Sequence, residues 1–145
     1  EACAALKRAG FVLVVVSNQG SVARGGATTT MVDAVNARLA ELLGGGVIDA
    51  FYYCPFHPLG SVPAFTIEHP WRKPQPGMIL AAARDLSLDL PRSWLVGDAP
   101  EVSSSVPVLM NRNAADCPCR ISEISGEPHL AQKRRMTEPP LSAVS

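Results

Sequence analysis

Residues 11–20 read FVLVVVSNQG. Six apolar residues in a row, four of them valine, make a run of strand length closed by small polar residues, and a run that is apolar on both faces suits a strand buried inside a parallel sheet. At this length it falls far short of the ~20 residues a membrane helix needs. Upstream, EACAALKRAG is alanine-rich and stops at Gly10, which reads as a helix with a terminator. Downstream, SNQGSVARGGA is rich in Gly and small polar residues. Thr28 to Leu43 then places Met31, Val35, Leu39, Leu42 and Leu43 at helical spacing, with Thr28, Thr29 or Thr30 as a cap.

Gly44, Gly45 and Gly46 end that helix, and VIDAFYYC reads as a second strand. Residues 54–76 hold many prolines and no sustained period, so they form a long loop of a length that is usually functional. Pro76 and Gly77 open a third helix, MILAAARDLSL. SWLVGD follows as a strand ending on a carboxylate. This order predicts an α/β fold, a doubly wound parallel sheet with strands near 11–16, 47–53 and 93–97. From about residue 99 the text changes character, and residues 102–145 are expected to be a divergent, poorly ordered tail.

The 145 residues are 47% hydrophobic and 18% charged, with 13 basic and 13 acidic side chains. That balance leaves no basic face large enough to suggest nucleic acid. The absence of a charged segment followed by an apolar one at the start points to a cytoplasmic chain with no membrane partner. Four unevenly spread cysteines, Cys3, Cys54, Cys117 and Cys119, are expected to be reduced. The chain opens on Glu1, already in helix, and is expected to begin inside a domain.

Ligands of open α/β sheets sit outside the carboxyl ends of the strands, so the residues after each strand are the candidates. Ser17, Asn18 and Gln19, followed by Gly20, offer donors sized for a phosphate. In Arg72-Lys73-Pro74-Gln75-Pro76-Gly77-Met78 two cations precede a helix start, and both features favour an anion. Asp98 follows Gly97 at a strand end, where a carboxylate can hold a divalent metal. Taken singly, the Ser-Asn and Gly-Asp signals are more often plain turns, and the Arg-Lys pair is as often a solvated pair on a loop.

Together, VVVSNQGSVARG, CPFHPLGSV, RKPQPGM and LVGD resemble, in order and spacing, the heptose 1,7-bisphosphate phosphatases and their histidinol-phosphate phosphatase relatives in the haloacid-dehalogenase superfamily. The resemblance covers residues 1–101. It implies that Ser17 binds the transferring phosphoryl group and that Lys73 neutralises it. Asn18, Gln19, Gly20 and Arg72 would contact a small-molecule sugar phosphate, and Asp98 would ligate magnesium. The family mechanism forms an aspartyl phosphate on the first Asp of an Asp-x-Asp pair, and the second acts as acid and base. No Asp-x-Asp occurs in the 145 residues. The strand that carries it, central in the sheet beside Phe11–Val16, is therefore expected to be missing and the fold incomplete at its N-terminus, leaving a chain without turnover. Ala99 and Val102 also stand where the family has further polar residues after its Gly-Asp.

Many members of that family hold zinc in the loop before the Arg-Lys pair. Here Cys54 remains, but Phe56 occupies the first histidine position and His69 and Trp71 stand where two cysteines would be. Cys54, His57 and His69 give at most three local candidates, and Cys117 with Cys119 would have to fold back, which leaves too few donors for a closed tetrahedral site. The loop is expected to be zinc-free and held by proline and by packing of Phe56, Phe65 and Trp71. Two rival readings stand beside the phosphatase: a phosphate- or phosphosugar-binding protein without turnover, and a small zinc or interaction module built around residues 54–71.

Overall fold

β1 runs Phe11–Asn18, and every side chain from Leu13 to Ser17 is buried, as an all-apolar run requires of a strand with both faces covered. In the computed structural model, residues 1–97 and 108–112 are described. Around β1 the described elements are α1 (Ala2–Arg8), α2 (Thr29–Leu42), β2 (Ala50–Cys54), α3 (Gly77–Leu86), β3 (Trp94–Val96) and β4 (Val108–Arg112).

Alternate residues of β1 enter different cores. Val14 and Val16 pack with Ala50, Tyr52, Cys54 and Phe56 against Met78, Ala81 and Ala82 of α3. Phe11, Leu13 and Val15 join Ile48, with Cys3 and Leu6 of α1 against them. One strand thus carries helices on opposite faces. α1 is followed by Gly10, whose φ of 84° is open to glycine at little cost. Lys7 of α1 pairs with Asp49, whose other oxygen accepts from the Leu13 N–H at 2.8 Å, tying helix, strand and the approach to β2 together.

α2 is capped by Thr28, whose hydroxyl accepts from the Met31 N–H at 3.2 Å. The stripe expected to face the core turns out mostly solvent-facing: Met31, Val35 and Leu42 are exposed, Val35 by 67%. Val32 is buried instead, beside Val22 and Tyr53. Asp33 fixes this rotation by accepting from the Tyr53 hydroxyl at 3.0 Å. A polar anchor has set the helix face where apolar spacing pointed elsewhere.

The sheet order is β2-β1-β4-β3. β1 and β2 pair in parallel, with Ser17 opposite Tyr53. β4 is antiparallel to β1 and to β3, so β3 runs in the same direction as β1 without touching it. The three anticipated strands share a direction, but they do not form one continuous parallel ladder. No strand was anticipated at 108–112, where only Val-Leu-Met is strand-like. Its backbone pairs with the edge of β1 that had been expected to lie open. The protein is a mixed α/β fold in which β1 is an inner strand, paired in parallel with β2 at one edge of the described sheet.

Candidate functional site

The carboxyl ends of β1 and β2 are joined directly, because the Gln19 N–H donates to the Cys54 carbonyl at 2.8 Å. The loops that follow are then zipped to each other. The N–H groups of Ser61 and Val62 both donate to the Ala23 carbonyl, at 2.8 and 2.9 Å. Gly60 lies against this junction so closely that a Cβ there would fall 2.7 Å from the same oxygen. The short turn after β1 and the long proline-rich loop are one bonded unit.

Ser17 ends the buried run and is only 5% exposed. The Gln19 side-chain amide donates to its Oγ at 2.7 Å. An accepting hydroxyl keeps its own proton to donate, which is what a phosphoryl oxygen requires. Asn18 reaches across the site: its Oδ1 accepts from the Lys73 N–H at 3.0 Å, and its Nδ2 donates to the Lys73 carbonyl at 3.2 Å. Lys73 is 3% exposed. Arg72 next to it directs a guanidinium N–H toward the Phe56 carbonyl at 3.5 Å. The structure therefore brings Ser17, Asn18, Gln19, Gly20, Arg72 and Lys73 together at one end of the sheet.

The sequence reading did not single out Arg24, and treated His57 only as a metal candidate. Both stand at Gly20, where a Cβ would lie 3.1 Å from the His57 ring and 3.4 Å from the Arg24 guanidinium. The signal was the four-residue step from Gly20 to Arg24, which closes a helical-type turn with an N–H···O of 3.2 Å. Burial holds the His57 imidazole below its ordinary value, and the positive charges of Arg72 and Arg24 push the same way. Arg24 and Arg72 both lie close enough to the imidazole to disfavour its charged form, and Glu68 opposes them.

Asp98, the candidate metal ligand, lies outside the described residues. Among the described residues no three His, Cys, Asp or Glu side chains come together to hold a metal ion. The described donors do not by themselves fit a divalent cation. In the proline-rich loop, His57 Nδ1 accepts from the Leu59 N–H at 3.0 Å and His69 Nδ1 from the Trp71 N–H at 3.1 Å. Cys54 is buried, and burial raises its thiol pKa above the ordinary value. Among the described residues no helix is long and apolar enough to cross a membrane.

A family model described as Polynucleotide kinase 3 phosphatase matches residues 1–118. Three curated relatives share the name D-glycero-beta-D-manno-heptose-1,7-bisphosphate 7-phosphatase. That of Mesorhizobium japonicum is 44% identical over 99 residues, which cover 67% of this chain and 46% of the relative. That of Yersinia pestis is 41% identical over 105 residues, or 70% and 55% of the two chains. That of Escherichia coli K12 is 42% identical over 98 residues, or 66% and 51%. The chain spans about half the length of the curated relatives it matches.

Proposed function

The chain belongs to the family described as Polynucleotide kinase 3 phosphatase, and on that footing we propose that it is the phosphoryl-binding part of a phosphatase for a small sugar bisphosphate, of the heptose 1,7-bisphosphate kind. The observation that carries this is the meeting of Ser17, held by Gln19, with Lys73, held by Asn18, at the carboxyl end of β1. A hydroxyl proton, and a buried lysine whose backbone is held by the next residue of the same strand, suit the non-bridging oxygens of a phosphate monoester. Arg72 adds a planar donor for a second anionic group. The names of the relatives supply the sugar.

The same proposal assigns residues 1–101, with β4 added to their sheet, to a doubly wound core located in the cytoplasm. It gives the core magnesium as the divalent cation, with Asp98 as one oxygen donor. When bound, such a cation supplies charge neutralisation at the phosphoryl group. The chain's own residues do the rest. Ser17 donates to a phosphoryl oxygen, Lys73 offsets its charge, and Gly20 lets the turn after β1 approach the ligand. The covalent route needs an Asp-x-Asp pair, and these 145 residues contain none. Binding therefore outlasts turnover in this chain.

The test is a pair of measurements on the 145-residue chain with magnesium. Release of inorganic phosphate from heptose 1,7-bisphosphate is expected at background. Calorimetric titration is expected to detect the bisphosphate, and to detect a 3′-phosphorylated oligonucleotide no more tightly than inorganic phosphate. Turnover that disappears on Asp98→Asn would show that a nucleophile has been overlooked. Preference for the oligonucleotide would replace the sugar as substrate class.

A further inference from the structure

We infer that Asn18 is a positioning residue that acts on phosphate through Lys73 rather than by touching substrate itself. The inference rests on the phosphate-site reading given above. The side-chain amide of Asn18 meets both backbone groups of one residue 55 positions away, accepting from its N–H at 3.0 Å and donating to its carbonyl at 3.2 Å. This is the pattern one strand offers its neighbour, made here by a side chain. Lys73 belongs to no helix or strand; it sits in the turn that leads to α3. A regular neighbour that would fix its backbone is replaced by Asn18, which is itself the last residue of β1.

The residue type follows from the task. A primary amide carries a donor and an acceptor side by side, which matches a peptide N–H and C=O. Aspartate would set a second acceptor against the Lys73 carbonyl, and alanine would remove both bonds. Because Ser17 is the preceding residue on the same strand, the clamp also locks the position of the Lys73 backbone to that of the Ser17 hydroxyl. A small displacement of a charged donor from its ligand is enough to lose most of a charge-assisted hydrogen bond. Asn18 had been grouped with the substrate contacts on sequence grounds, and the bonds give it this separate task.

The experiment is a double-mutant cycle on the full chain, read by calorimetric titration with inorganic phosphate. Asn18→Ala is expected to weaken binding roughly tenfold, the scale of one charge-assisted hydrogen bond. In a Lys73→Ala background the same change is expected to cost nothing further. A merely structural role would lower the unfolding temperature in both backgrounds without this coupling to Lys73. Losses that multiply in the double variant would mean that Asn18 binds phosphate on its own, and would overturn the inference alone. An unaltered chain that binds no phosphate, or a Lys73→Ala chain that binds as well as the parent, would overturn the phosphate-site reading and the inference with it. Amide exchange in the unaltered chain needs no variant. The Lys73 N–H is expected to be protected like β1, and exchange at the rate of an open loop would contradict the clamp.

Discussion

The ring of His69 lies nearly flat on that of Phe56, with centroids 4.5 Å apart and planes inclined by 18°. Phe56 also packs on Phe65 at 5.7 Å, and His69 meets Trp71 edge-on at 6.3 Å, which in turn meets Tyr52 of β2 at 5.8 Å. A chain of rings thus runs from β2 through the whole proline-rich loop. It lies in the stretch where the family resemblance pointed to a zinc loop, and it gives that loop cohesion of its own. Aromatic pairs of this geometry contribute about 0.5–1.5 kcal/mol beyond burial.

The His69 stack predicts how stability depends on pH. Burial lowers the imidazole pKa below its ordinary value of 6.5. Between the folded and unfolded values the unfolded chain binds more protons, so stability rises with pH there. The contribution is complete above about 6.5 and is lost as pH falls below that value toward the folded pKa. Denaturant unfolding is expected to show the chain weaker at pH 5 than at pH 7, with a smaller difference in His69→Phe, which keeps the stack and removes the titration. An unchanged slope in that variant would remove His69 as the cause.

Cys54 is predicted to resist alkylation in the native chain. Its thiol is fully buried, points toward the Phe56 carbonyl at 3.8 Å, and has a raised pKa because burial disfavours the thiolate. Mapping peptides after iodoacetamide treatment at pH 8 should find Cys3, which is half-buried, modified ahead of Cys54. Equal labelling of the two under native conditions would contradict the packing described for β2.

Ser87 follows α3 with φ 52°, a left-handed conformation that disfavours any residue with a Cβ. Replacing it with glycine is expected to raise stability by about 0.5–1 kcal/mol, after the greater freedom of glycine in the unfolded chain is set against the relief. Urea unfolding midpoints at constant m-value measure it. A lower midpoint for Ser87→Gly would mean that the Ser87 side chain makes a compensating contact.

Gly77 starts α3 in a place with no room. A Cβ there would lie 2.4 Å from the Pro70 carbonyl oxygen and 2.9 Å from the Trp71 ring, while the Gly77 N–H donates to that same carbonyl at 3.0 Å. Gly77→Ala is therefore expected to cost about 1–3 kcal/mol, as overpacking does, and to weaken phosphate binding because it shifts the turn that carries Arg72 and Lys73. A stable variant with unchanged phosphate affinity would show that the turn and α3 move independently.

Much of this was legible in the residues because local chemistry and global fold agree. Phe11–Val16 is apolar at every position, and a residue buried on either face needs no register information to be placed in a strand. Ser17 and Lys73 could be singled out as candidates because the carboxyl end of a strand and a cationic helix start are local features. The rotation of α2 was not legible: Asp33 and Tyr53 fix it through one hydrogen bond across 20 residues, and no periodicity carries that. The Asn18–Lys73 clamp spans 55 residues for the same reason. β4 was missed because a five-residue strand gains its pairing energy from β1 and β3, and its own text contains little of the signal.

The most direct test of the central claim, that the carboxyl end of β1 and the turn before α3 form one phosphate site, is an NMR titration. Inorganic phosphate would be added to the ¹⁵N-labelled chain at low salt and again at higher salt, where a site built on cations weakens. The account predicts that the largest saturable shifts fall together on Ser17, Asn18, Gln19, Gly20, Arg72 and Lys73, with a common dissociation constant that rises with salt. Shifts confined to other surfaces, such as the Arg8 end of α1, with those six amides unmoved, would contradict it.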